Sequence, residues 1–66
     1  MNYYEILLSL VKLANESGEN TYSITDYAFG FIPFKNGENQ VQRIGDNFFN
    51  IAHWLLYEIE MNLNNK

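Results

Sequence analysis

Between residues 46 and 63, apolar side chains recur at the i, i+3, i+4 spacing of an α-helix. The stretch predicts about five turns at about 3.6 residues each. On a wheel advanced by about 100° per residue, Phe48, Ile51, Ala52, Leu55, Leu56, Ile59 and Leu63 share one broad face. That face is the expected core side. Trp54, Tyr57 and Met61, at i, i+3 and i+7, form a second apolar stripe outside it, flanked by Asn50 and Glu58. A small domain with one core needs only one apolar face per helix. The second stripe is therefore the main functional clue, and it points to a partner rather than to chemistry. Asp46 stands at the helix start, where its carboxylate would accept from the N–H groups of Phe48 or Phe49.

An earlier helix is predicted over residues 2–17. Glu5, Ser9, Lys12 and Glu16 fall in one narrow polar strip, and Tyr3, Tyr4, Ile6, Leu7, Leu8, Leu10, Val11, Leu13 and Ala14 fill the rest. A helix apolar over more than half its circumference is mostly buried. Such a face serves either as the centre of a core or, in part, as a contact with a second chain. Gly18 stands where a glycine in the left-handed conformation would end the helix.

The middle of the chain lacks helical periodicity. Residues 21–25 alternate, with Tyr22 and Ile24 on one side, which suits a short strand. Residues 26–34 are densely aromatic, with Tyr27, Phe29, Phe31 and Phe34 interrupted by Gly30 and Pro33. Proline limits a strand here to an edge or a bulge. Asn36-Gly37 is a strong hairpin signal, because a type I′ turn needs positive φ at both central residues. It predicts residues 29–35 pairing with residues 38–44, although the polar second arm suits a plain loop almost as well. Gly45 then breaks the chain, and residues 64–66 form a frayed tail. The expected fold is a single α+β domain over residues 1–66: N-terminal helix, aromatic-rich hairpin-like middle, C-terminal helix. An all-α helical bundle is the alternative.

Composition sharpens this picture. A chain of 66 residues buries only roughly 60% of the surface its unfolded form exposes, so its core needs reinforcement. The chain has no Cys, which removes disulfides and thiolate metal sites. Dense aromatic packing or oligomerisation remain, and five Phe, five Tyr and one Trp supply material for both. The net charge is −4, and the basic residues Lys12, Lys35, Arg43 and Lys66 are scattered. Phosphate neutralisation needs clustered cations, so nucleic acid is an unfavoured partner, as is an anionic membrane surface. Residues near the N-terminus show neither the basic segment nor the small-residue cleavage site of a signal peptide. Their longest apolar run, residues 6–8, is far too short to span a bilayer. The expected location is the cytoplasm.

Chemistry finds little to build on. His53 lies one turn from both Asn50 and Tyr57, but nothing supplies a nucleophile or an oxyanion site at a recognisable spacing, so it reads as a surface or boundary histidine. One His beside Glu58 or Glu60 is not a zinc ligand set, and Asp26, Glu38 and Asp46 are too isolated for a calcium loop. Gly30, Gly37 and Gly45 are spaced too widely for a phosphate-binding loop. No cofactor or metal is expected, and no enzymatic activity. Tyr3-Tyr4-Glu5 is a minor contact candidate.

The partner-binding candidates are Trp54, Tyr57, Met61, Asn50 and Glu58. Trp and Tyr are enriched among interface hot spots and Met adapts to varied surfaces, while Glu58, Glu60 and Asn50 would form an acidic rim for a basic partner. In general character the chain is similar to small acidic proteins of phages and mobile elements, such as antitoxins, immunity proteins and anti-CRISPR inhibitors. No residue motif carries that similarity. The leading expectation is a dimeric, non-catalytic binding protein that occludes another protein. The alternatives are a purely structural homo-oligomer, a dimeric nucleic-acid-binding regulator that gathers Lys35 and Arg43, and a small hydrolase centred on His53.

Overall fold

The computed structural model describes residues 2–65. Helix α1 spans Tyr3–Glu16, strand β1 Tyr22–Tyr27, β2 Gly30–Lys35 and β3 Glu38–Asn39. A short helix α2, Val41–Ile44, leads into α3, Phe48–Asn64. The strands form one antiparallel sheet in the order β1-β2-β3. The α+β architecture is therefore as the sequence predicts: helix, hairpin sheet, helix.

The two long helices lie side by side and run parallel. Tyr3 stacks on Phe48 at one end, with ring centroids 4.7 Å apart. At the other end, Asn62 Nδ2 donates to Ser17 Oγ at 3.0 Å. Two parallel helices in sequence require the chain to travel back between them, and the hairpin makes that return. Directly opposed strand residues share a sheet face. The pairs Tyr22↔Lys35, Ile24↔Pro33 and Asp26↔Phe31 place Tyr22, Ile24, Phe31 and Pro33 on the helix side. There they meet Leu7, Val11 and Ala14 of α1 and Ile51, Trp54 and Leu55 of α3.

Local chemistry explains most boundaries. Asn2 caps α1, its side-chain oxygen accepting from Glu5 N at 2.8 Å. At the start of α3 the cap is Asn47, which accepts from Asn50 N at 2.9 Å. This corrects the assignment of Asp46. The Asp46 carboxylate instead accepts from the Tyr27 hydroxyl at 2.6 Å, and its carbonyl accepts from Phe31 N at 3.0 Å. Gly18 does not take the left-handed conformation. Its lack of a side chain lets Asn62 pass, since a Cβ there would stand 3.2 Å from Asn62 Cβ. The tail is helical through Asn64, with Asn65 as cap, and Lys66 lies outside the described residues.

The middle differs from expectation in register. The main hairpin is β1–β2, turning at Ala28-Phe29. Asn36-Gly37 does form its predicted turn, with φ of 53° and 82°. Pairing across it stops after Phe34↔Asn39 and Lys35↔Glu38, and α2 replaces the rest of the second arm. Pro33 sits in the central strand rather than at an edge. Its carbonyl accepts from Gln40 N at 2.8 Å, beyond the end of β3, so on that side no ladder donor is required of it. The free edge of β1 is closed at one end by Asn15. That amide accepts from Tyr22 N at 2.6 Å and donates to Tyr22 O at 3.0 Å, which blunts an edge otherwise open to pairing. Among the described residues no helix is long and apolar enough to cross a membrane.

Gly30 is where the hairpin and the α3 entry meet most closely. A Cβ at Gly30 would lie 2.5 Å from the Asp46 carbonyl oxygen, a backbone atom that cannot rotate away. We predict that Gly30→Ala lowers stability by about 2 kcal/mol or more, read as a reduced urea midpoint. An unchanged midpoint would show that this junction yields freely.

Candidate functional site

Helix α3 buries Ile51, Trp54, Leu55 and Glu58, a stripe rotated from the predicted one. The reason is that α3 is flanked on two sides. Phe48 stacks on Tyr3 of α1, and Ala52 and Ile59 pack against the core, whereas Trp54 and Glu58 turn towards the sheet. Leu56 and Leu63, expected in the core, face neither neighbour and are exposed.

The five candidate residues therefore divide. Trp54 is only 7% exposed and packs edge-on against Tyr22, centroids 5.7 Å apart. Its Nε1–H finds no acceptor among the described residues. Glu58, also 7% exposed, is not part of a rim. Its Oε1 lies 2.7 Å from Lys35 Nζ and accepts from the Tyr22 hydroxyl at 2.8 Å. Tyr57 and Met61 remain outside, at 54% and 39% exposure. Asn50 is exposed and donates to the Ile44 carbonyl at 3.1 Å. Trp54 and Glu58 are thus framework, while Tyr57, Met61 and Asn50 are accessible.

Trp54, Tyr57 and Asn50 do come together with residues outside the predicted partner-binding set. Arg43 and Ile44 of α2 join Asn50, His53, Trp54 and Tyr57 around an open groove of ≈ 360 Å³. No sequence periodicity could have found Arg43 and Ile44, because α2 is one turn long and reaches α3 only through the fold. The lining is mostly apolar, with Trp54 and Tyr57 as its large aromatic groups. Arg43 is held in place by donating to Gln40 Oε1 at 2.9 Å. Exposed His53 lines the same groove. Among the described residues no group of three His, Cys, Asp or Glu side chains could hold a metal ion. Lys35, which a nucleic-acid site would have needed, is taken up by Glu58.

Towards the C-terminal end of α3 a polar cluster joins four segments. Asn62 Nδ2 donates to the Tyr22 hydroxyl and to Ser17 Oγ, each at 3.0 Å. Asn62 Oδ1 accepts from Asn20 at 3.3 Å, and Asn20 in turn accepts from Asn36 at 3.1 Å. The Tyr22 hydroxyl is pushed above its ordinary value, first by burial. Donation from Asn62 works against this, and the Glu58 carboxylate reinforces it.

Two predictions follow from the cluster. Glu58→Ala should destabilise the fold by about 2–4 kcal/mol, since it strips a hydrogen-bonded carboxylate from Lys35 and Tyr22; chemical denaturation measures it. Tyr22 ionises later folded than unfolded, so its contribution is complete below about pH 10 and is lost as pH rises through the folded value. A phenolate absorbance titration of Tyr22→Phe should lack one late step present in the wild type. Ionisation of Tyr22 at or below its ordinary value would contradict this. Comparison of the chain with family models, curated proteins and solved structures gives no match.

Proposed function

We propose that this chain is a small acidic, non-catalytic protein-binding module of the cytoplasm, and that it acts as an inhibitor by covering the functional site of a basic partner protein. In character this is the mode of antitoxins, immunity proteins and anti-CRISPR inhibitors. The observation that carries the reading is the groove between α2 and α3, with buried Trp54 lining it and exposed Tyr57 at its side. Tyr, Trp and Arg are the residue types that dominate binding hot spots, and Met61, one turn beyond Tyr57, extends the contact with an adaptable side chain. A rigid floor keeps the ordering cost of binding low.

Charge supports the choice of partner. Glu5, Glu16, Glu19, Asp26, Glu38 and Glu60 are exposed, whereas Lys35 is half-buried against Glu58. The net charge of −4 would accelerate encounter with a basic surface, most strongly at low salt.

The test is retention of a basic protein partner on immobilised protein. Tyr57→Ala combined with Met61→Ala should weaken retention at least about 30-fold, the equivalent of about 2 kcal/mol, while the circular dichroism stays that of the wild type. Undiminished retention by the folded variant would remove the groove from the binding surface.

A further inference from the structure

We infer that the outward face of the α1–α3 layer, opposite the sheet, is the interface of a symmetric homodimer. This inference concerns a different surface from the groove and stands independently of it. It arises from the side chains that the rotation of α3 leaves without a partner. On α1, Tyr3, Ile6, Leu10 and Leu13 fall within about a quarter of the circumference at about 100° per residue. On α3, Phe49, Ala52, Leu56, Ile59 and Leu63 do the same. The Tyr3–Phe48 stack and the Asn62–Ser17 bond bring these two arcs side by side. Ile6, Leu10, Ala52 and Ile59 are half-buried along the seam. Tyr3, Leu13, Phe49, Leu56 and Leu63 stand beyond it, each more than half exposed.

The face carries no charged residue. Glu16 on α1 and Glu60 on α3 lie at its borders, on the polar sides of their helices. Charge depletion at the centre with a polar rim is the composition of a permanent interface. The protein is a slab of 37 × 26 × 16 Å, so a broad face of it is large relative to its interior. Exposed to this degree, two aromatic and three leucine side chains present on the order of 550 Å² of mainly apolar surface, to which the half-buried seam residues add. A monomer's largest apolar patch is roughly 300–600 Å², whereas a stable interface buries roughly 800 Å² per partner. The apolar area stands at the upper end of that monomer range, and with its polar border the face approaches what half a dimer supplies.

A second copy of this chain is the occupant that fits. The described core consists of eight buried apolar residues, a small number for a chain without disulfides or metal, and such chains gain stability by oligomerising. Two identical flat helix layers are complementary under a two-fold axis lying in the interface, which pairs like surface with like. The result is a four-helix layer between two outer sheets. Both grooves stay open at its flanks, so the dimer presents the binding surface twice.

Sedimentation equilibrium across about 1 μM to 1 mM tests the inference. The wild type should sediment as two chains of 7.8 kDa. Leu13→Lys combined with Leu56→Lys should shift it to a single chain, raising the dimer dissociation constant at least about 30-fold, with the circular dichroism unchanged. If the double variant loses its fold, the milder Leu56→Ser provides the reading and must also weaken association. Tyr57→Ala, outside the face, should leave the mass at two chains. A wild type that sediments as one chain throughout overturns the inference and leaves this face to a foreign partner. Undiminished association in folded Leu56→Ser protein, or in the folded Leu13→Lys, Leu56→Lys protein, overturns it equally, placing the interface elsewhere.

Discussion

A buried carboxylate governs how this protein is put together. Glu58 reaches from α3 to Lys35 of β2 and Tyr22 of β1, so one side chain ties the last helix to both arms of the main hairpin. A buried charge is costly unless paired and hydrogen-bonded, and here each requirement is met by a different strand. The geometry therefore admits one rotation of α3. Asn62, one turn further on, repeats the constraint against Tyr22 and Ser17. The cluster confers specificity, because a rotation that keeps Glu58 inside without Lys35 and Tyr22 strands a charge, and one that turns it out gives up the ion pair and its hydrogen bonds together.

Fixing that rotation decides what the surface offers. With Glu58 turned to the sheet, Trp54 follows it inward and Tyr57 and Met61 are left at the groove edge. On the opposite side, Leu56, Leu63 and Phe49 emerge beside Leu13 and Tyr3 of α1. A single constraint thus generates two separate apolar surfaces: a recessed one next to α2 and a broad flat one across the helices. Their shapes differ as their proposed roles do. The groove suits a side chain of another protein, and the flat layer suits a copy of itself.

Much of the architecture could be read in the sequence because it is local. The helical periodicities, the Asn36-Gly37 turn and the alternation at Tyr22 and Ile24 each act within a few residues. What escaped was non-local. The wheel for residues 46–63 ranked positions by hydrophobicity alone, and a glutamate could not be counted as a core residue until Lys35 was known to lie opposite. Trp54 lies outside the wheel's core face, and its burial follows only once Glu58 turns towards the sheet. Asp46 and Asn47 are both good caps, and only the Tyr27 hydroxyl, 19 residues away, draws Asp46 off. Outside the Asn36-Gly37 turn the asparagines carry little sequence signal, yet Asn2 and Asn47 cap helices, Asn15 closes a sheet edge, and Asn20, Asn36 and Asn62 link three chain segments. Amides that both donate and accept can fill such positions, but nothing in their spacing announces it.

The rotation of α3 can be measured directly, because Trp54 is the chain's single tryptophan. Acrylamide quenching of its fluorescence in the Leu13→Lys, Leu56→Lys protein reports the environment set within one chain, free of shielding by a second copy. The account predicts blue-shifted emission that acrylamide barely reduces, as in the wild type. Red-shifted, freely quenched emission from a protein with wild-type circular dichroism would place Trp54 outside, and with it would fall the orientation that Glu58 is held to impose.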